Sequence, residues 1–194
     1  MRRLSSGFVL GYHGCDKDVA EKLLAGEAFS SSQNDYDWLG EGIYFWESNP
    51  KRGLEFAYES AKRKGSKLKT PSVIGCALDL GLCLDLSTKE SLDTLSLAYE
   101  VLLSRHEVMG TLLPENTADM MRRPLDCAVV NLAFDLLKTD GTMVDTVRGI
   151  FQEGAPLYPG SGFLAKTHIQ IAVRNRDCIK GVFRVSSSDI DEVE

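Results

Sequence analysis

The spacing of apolar residues changes several times along this chain, and each change marks an element. Residues 8–13 read as a strand bounded by Gly7 and Gly14. Asp16 then stands where an N-cap belongs. Val19, Ala20, Leu23 and Leu24 recur at helical spacing, and Gly26 occupies the usual closing position. Residues 29–40 are polar and irregular. The run Gly42-Ile43-Tyr44-Phe45-Trp46 is aromatic and β-branched, hence strand. Asn49-Pro50 joins a capping side chain to a proline suited to the first helical turn; Leu54, Ala57, Tyr58 and Ala61 follow on one face, and Gly65 closes the helix.

Residues 72–79 and 82–86 predict two strands around Gly81. Ser87-Thr88-Lys89-Glu90 fits a capping box ahead of a helix carrying Leu92, Leu95, Tyr99 and Leu102. Pro124 opens a further helix with Leu125, Ala128, Val129, Leu132, Ala133 and Leu136 inward, and Asp140-Gly141 ends it. Residues 154–162 form a turn-rich loop. Residues 168–174 alternate: Ile169, Ile171 and Val173 face one way, His168, Gln170 and Ala172 the other. Residues 179–185 are expected as the hairpin partner of that strand, with Asn175-Arg176-Asp177 as the turn. Strands at both ends with helices grouped between them indicate α+β architecture and mostly antiparallel pairing. The expected organisation is one domain over residues 1–194, of which 185–194, rich in Ser, Asp and Glu, form a frayed tail.

Composition narrows the function. The 194 residues carry a net charge of −6, which argues against a chain that coats nucleic acid or anionic membrane with its whole surface. One local exception is the basic cluster of Lys62, Arg63, Lys64, Lys67 and Lys69. It suits an acidic acceptor, although it also suits a solvated helix end, and no aromatic residues interleave it as in a base-stacking platform. No apolar run reaches the length of a spanning helix, and the apolar stretch after Arg2-Arg3 is too short for an export signal, so a cytoplasmic location is expected. The five cysteines are widely spaced and never form Cys-x-x-Cys, which excludes a disulfide framework and the common zinc spacings; no metal is expected. There is no Walker loop and no Gly-x-Gly-x-x-Gly opening a helix. Cys15 lies close to His13, but neighbours two apart on a strand seldom form a productive dyad.

Three side chains sit at strand ends or on the less apolar face of a strand: His13, Tyr44 and Gln170. Singly, each has an ordinary explanation as a turn histidine, a core aromatic and a solvated strand residue. Together the segments Tyr12-His13-Gly14 and Leu39-Gly40-Glu41-Gly42-Ile43-Tyr44-Phe45, followed by a late strand with a polar residue, resemble ADP-ribosyltransferases of the diphtheria-toxin and poly(ADP-ribose) polymerase class. The signature of that class is His, Tyr and Glu on three separate strands. The likeness spans roughly residues 8–185, though about a dozen positions carry it. It implies a split β-sandwich of two facing, mostly antiparallel sheets with surrounding helices.

The resemblance also assigns roles. NAD is the implied substrate, and its nicotinamide–ribose bond breaks through an oxocarbenium-like ribose. His13 would hydrogen-bond a ribose hydroxyl, the backbone of Gly14 would approach the nicotinamide carboxamide, and Tyr44 would stack on the nicotinamide ring, with Phe56 completing the stack. Tyr36 or Trp38, in the loop over residues 30–38, would cap the adenine, unless Trp38 serves to anchor that loop. Gln170 falls where the family has its glutamate. Its amide oxygen still accepts a hydrogen bond but supplies no negative charge. Glu41, Glu47, Asp35 and Asp37 are candidate compensating acids. His168, on the same face as Gln170, is a candidate for contact with substrate or as a base for the acceptor.

The expected function is therefore mono-ADP-ribosyl transfer from NAD to a macromolecular acceptor, protein or nucleic acid, docking on the basic cluster. A free-standing cytoplasmic modifier or intracellular toxin fits this reading, with an inhibitor or antitoxin as a candidate partner and no membrane role. The alternatives are a non-catalytic module that binds NAD or ADP-ribose, for which the missing glutamate argues, and an NAD glycohydrolase that uses water as acceptor.

Overall fold

A computed structural model describes residues 7–190. The basic start of the chain, Met1 to Ser6, and the last four residues of the expected tail lie outside the described residues. The fold is α+β. Its elements are β1 (Val9–Asp16), α1 (Lys17–Leu24), β2 (Ile43–Glu47), α2 (Pro50–Ala61), β3 (Pro71–Leu78), β4 (Cys83–Asp85), α3 (Lys89–Met109), α4 (Pro124–Thr139), β5 (Thr146–Phe151), β6 (His168–Val173) and β7 (Ile179–Arg184). Among the described residues no helix is long and apolar enough to cross a membrane.

Local chemistry starts the helices as the sequence foretells. Asp16 caps α1 through the Asp18 amide at 3.0 Å, and its other carboxylate oxygen accepts from the Lys69 and Thr70 amides at 2.6 and 3.0 Å. One side chain thus ends β1, begins α1 and holds the approach to β3. Asn49 caps α2 through the Arg52 amide, with Pro50 in the first turn. The capping box expected over residues 87–90 is replaced by its neighbour: Thr88 is the cap of α3, and its hydroxyl meets both the amide and the hydroxyl of Ser91.

Seven strands pair in one continuous order, β4-β5-β6-β2-β1-β3-β7, antiparallel except for β4 with β5. Three expectations change here. β6 and β7 are not a hairpin: β6 lies between β5 and β2, whereas β7 pairs with β3 at the opposite edge. β4 does not pair with β3 but runs parallel to β5 at the other end of the sheet. β5 itself, Thr-Val-Arg-Gly-Ile-Phe, is a strand that the apolar alternation does not announce. Arg148 interrupts the pattern because it is ion-paired on one face to Glu47 and Asp85. Gly149 interrupts it because the Trp38 indole occupies the space where a Cβ would stand, 2.6 Å from its nearest atom. Within the expected tail, Val185 and Ile190 pack on Tyr12, Leu54 and Val73.

The two faces of the sheet are covered differently. On one, Phe45, Ile43, Ile74, Cys76, Leu78, Ile171 and Val173 meet Ala20 and Leu23 of α1, Phe29 and Cys178 in a continuous core. On the other, the cover is in two parts. α2 packs through Leu54 onto Tyr12 and Val73. α4, backed by α3, packs through Val130 and Phe134 onto Leu84, Val147 and Ala172. Between the two helices, the strip of β2, β5 and β6 faces the loop over residues 30–40, and the candidate site lies there.

α2 reaches the sheet at one pair of glycines: a Cβ on Gly14 would overlap the carbonyl oxygen of Gly53. Because that obstruction is backbone, the helix must shift to relieve it. Gly14→Ala is expected to cost about 2–3 kcal/mol or more, read from the midpoint of urea unfolding, without lowering the strand content.

Candidate functional site

A cleft of about 310 Å³ lies along this strip, and His13, Tyr44, Phe56, His168 and Gln170 all line it. The three strand residues singled out by sequence thus converge on one concavity from β1, β2 and β6.

His13 enters through a separation of strands. β1 and β2 pair at Gly11↔Glu47 and Tyr12↔Trp46 and then part. In the opening, His13 Nδ1 donates to the Tyr44 carbonyl oxygen at 2.8 Å. A carbonyl only accepts, so Nδ1 carries the proton of the neutral ring and Nε2 presents a lone pair. The ring sits edge-on to Phe29 at 5.5 Å and tilted against Phe45 at 5.6 Å. Burial holds its pKa below the ordinary histidine value, against the bond to the Tyr44 carbonyl, which acts to raise it.

Tyr44 contributes a wall rather than a free hydroxyl. Its O–H donates to the Gly40 carbonyl at 2.8 Å and accepts from the Leu39 amide at 3.0 Å. Burial, with the nearby charge of Asp37, pushes this phenol well above the usual tyrosine range. Gly40 has a φ of +74°, the left-handed conformation that lets the chain turn back onto the phenol. Tyr44 therefore fixes the loop over residues 30–40 as well as facing the cleft.

Gln170 is likewise engaged. Its Oε1 accepts from Trp38 Nε1 at 2.5 Å. Trp38 lies over Gly149, tilted against Phe151 at 5.2 Å, with the Arg123 guanidinium 5.2 Å from its ring. Of the two roles open to Trp38, the structure shows the anchor. Tyr36 also lines the cleft and carries the Arg122 guanidinium 4.1 Å over its ring.

The opposite wall comes from α2. Phe56 is 4.7 Å from Trp46, and the Arg63 guanidinium lies 5.2 Å from the Phe56 ring centroid. Arg63 is the member of the basic cluster that lines the cleft; Lys62, Lys64, Lys67 and Lys69 are exposed beyond it. Gly14 is not in the lining. Its missing side chain accommodates Gly53 of α2.

Among the four acids expected to compensate for Gln170, only Asp37 lines the cleft. Burial pushes its pKa up, while bonds from Ser32 and Asn34 act the other way. Glu47 is held by Arg148, at 2.6 and 3.1 Å. Glu41 accepts from Gln33, and Asp35 is exposed. Two further acids line the cleft that sequence reasoning passed over. Glu153, 7% exposed, is ion-paired to Arg52, itself 6% exposed, and Glu59 links Arg52 at 3.3 Å to Lys166 at 2.8 Å. Burial acts to raise the Glu59 pKa, but Lys166 and Arg52 outweigh it and the net shift is downward. Glu153 follows a strand that the alternation hides, and Arg52 lies in an ordinary helical turn, so neither carried a signal. Among the described residues no group of three His, Cys, Asp or Glu side chains is placed to hold a metal ion.

Comparison with known proteins adds little to this geometry. Over 63 residues, 32% of its length, the chain is 35% identical to uncharacterized protein MJ0359 of Methanocaldococcus jannaschii. The match spans 29% of that protein. No family model and no solved structure matches.

His13 and His168 are both held neutral chiefly by burial, with pKa values below the ordinary one. Around His168, Arg52 lowers the value further while Glu153 and Glu59 raise it. The unfolded chain then binds more protons once the pH drops below about 6.5. Their contribution to stability is complete above that pH and is lost as the pH falls toward the folded-state values. The urea midpoint is expected to drop between about pH 7.5 and about pH 5.5, and to drop less in His168→Phe.

Proposed function

We propose that this protein is a NAD-dependent mono-ADP-ribosyltransferase built on an ADP-ribosyltransferase-like split β-sandwich. The observation that carries the reading is convergence: His13, Tyr44, Gln170 and Phe56, distant in sequence, line one cleft at the point where β1 and β2 separate.

In this reading the nicotinamide lies against the aromatic walls given by Tyr44 and Phe56. The lone pair on His13 Nε2 takes the hydrogen of a ribose hydroxyl and fixes the dinucleotide. The bond from ribose C1′ to the nicotinamide nitrogen breaks with its electron pair leaving on that nitrogen, and an acceptor nucleophile bonds to C1′ while losing its proton. Asp37, bonded to Ser32 and Asn34 where Glu153 and Glu59 are ion-paired, is the cleft acid whose charge favours the cationic ribose when it is ionised. The acceptor is a macromolecule that approaches over Arg63 and the lysines beyond it. The proposed setting is cytoplasmic, as a modifier or toxin with an inhibitor as partner.

One observation favours a second reading, a module that binds NAD or ADP-ribose without turnover: Gln170 already spends its amide oxygen on Trp38. Incubation of the purified protein with NAD labelled in the adenylate portion, alone and with fractionated lysate, separates the readings. Transfer of label to material released by protease or nuclease, with stoichiometric nicotinamide, is the expected result. Free ADP-ribose without an acceptor marks a glycohydrolase, and binding with no nicotinamide marks the module. Phe56→Ala, which removes the stacking wall, is expected to lower kcat/KM for NAD by about tenfold or more.

A further inference from the structure

Unpartnered polar atoms concentrate on side chains that line the cleft. Six buried side-chain nitrogen or oxygen atoms among the described residues lack a hydrogen-bond partner. Four of them, Trp46 Nε1, Arg52 Nε and Nη1, and His168 Nε2, belong to three side chains that line this cleft. Buried polar groups are ordinarily paired, because desolvation without a replacement bond is unfavourable. Four orphans gathered on one cavity describe the complement of something that enters it.

The chemistry of that complement can be read atom by atom. His168 Nδ1 lies 2.6 Å from the Lys166 carbonyl oxygen, so in the neutral ring Nδ1 carries the proton and Nε2 is an acceptor. The other three orphans are N–H donors, of which Arg52 Nη1 has the Glu55 carboxylate 3.7 Å away, beyond hydrogen-bond distance. The set of one acceptor and three donors suits a vicinal diol, whose hydroxyls both donate and accept. The flanking charges are already neutralised: Arg52 Nη2 binds Glu153 and Glu59, and Lys166 binds Glu59. This does not suit a bare phosphate. Flat rings enclose the position, with Phe151 5.5 Å and Trp46 6.3 Å from the His168 ring. His168 is 5% exposed and lies on the same face of β6 as Gln170.

We infer, resting on the reading that the cleft takes NAD, that His168 rather than Gln170 is the β6 side chain that receives a ribose hydroxyl, with Nε2 as acceptor and Arg52 and Trp46 as donors to the diol oxygens. Gln170 instead positions the loop over residues 30–40 through Trp38. The third member of the site is therefore a neutral base with the buried carboxylate of Glu153 and the half-exposed carboxylate of Glu59 in its surroundings, displaced two residues along the strand from where the resemblance puts it.

The test pairs one protein group with one ligand group. Affinities of the wild-type protein and of His168→Phe are measured by calorimetry for NAD and for two analogues, lacking the 2′-hydroxyl of the nicotinamide ribose or of the adenine ribose. Phenylalanine keeps the ring among Phe151 and Trp46 and removes the acceptor. The wild type is expected to prefer NAD over one of the two analogues by about tenfold or more, and His168→Phe to lose that preference to within about twofold. The analogue concerned identifies which ribose is held. A purely packing role for His168 leaves the preference intact in the variant, and that result overturns this inference alone, as does a wild type that binds NAD without discriminating. A wild type that does not bind NAD overturns both this inference and the function it rests on. Should His168→Phe not fold, nitrogen NMR of the wild type decides: the His168 Nε2 resonance moves on adding NAD if the inference holds and stays unmoved if it does not.

Discussion

The carbonyl oxygen of Tyr44 takes its hydrogen bond from an imidazole instead of from the neighbouring strand, and the cleft depends on that substitution. Two strands that stay paired leave no gap between them. Two that part leave a backbone carbonyl in need of a donor inside a nearly dry region, where an unmet bond costs about 1–3 kcal/mol. His13 meets that need with Nδ1 at 2.8 Å. The same bond fixes the ring's tautomer and turns its other nitrogen into an acceptor. A structural requirement of the sheet thereby sets the chemistry of a side chain in the site.

The remainder of the cleft repeats this economy. Tyr44 satisfies the turn at Leu39 and Gly40 while its ring forms a wall, and Gln170 and Gly149 together seat Trp38. Each of these side chains has a polar atom engaged by the protein itself. The groups with capacity to spare, His168, Arg52 and Trp46, are the ones held most deeply by neighbours on α2, β2 and β5. The division separates side chains that shape the cavity from side chains that are free to meet its contents.

Much of this was legible in the sequence, for reasons that differ by element. Asp16 and Asn49-Pro50 announce helix starts because capping is local, and their bonds reach only two or three residues along the chain. The alternation of β6 is visible because Ile171 and Val173 enter the core on one face while His168 and Gln170 line the cleft on the other. β5 was hidden because two of its residues answer to distant partners, Arg148 to Glu47 and Gly149 to Trp38. Nothing within reach of a short window reports those. Strand order was misread for the same reason: β6 and β7 are neighbours in sequence across a single 3₁₀ turn, Arg176–Cys178, yet that turn carries the chain from the middle of the sheet to its far edge. In the site, His13 and Tyr44 stood out by motif and Phe56 by its place in the helix after the tyrosine strand. Glu153 and Arg52 gain their meaning only from facing each other across the fold.

Both tryptophans of the chain, Trp38 and Trp46, border the cleft, one bonded to Gln170 and the other with its indole N–H unmet. Tryptophan emission, excited at the red edge where tyrosine absorbs little, therefore originates entirely beside this cavity. Any occupant that lies against the rings or engages the free indole N–H alters the emission with no background from elsewhere in the chain. The protein carries its own optical probe of occupancy, and screening compounds against it requires no label.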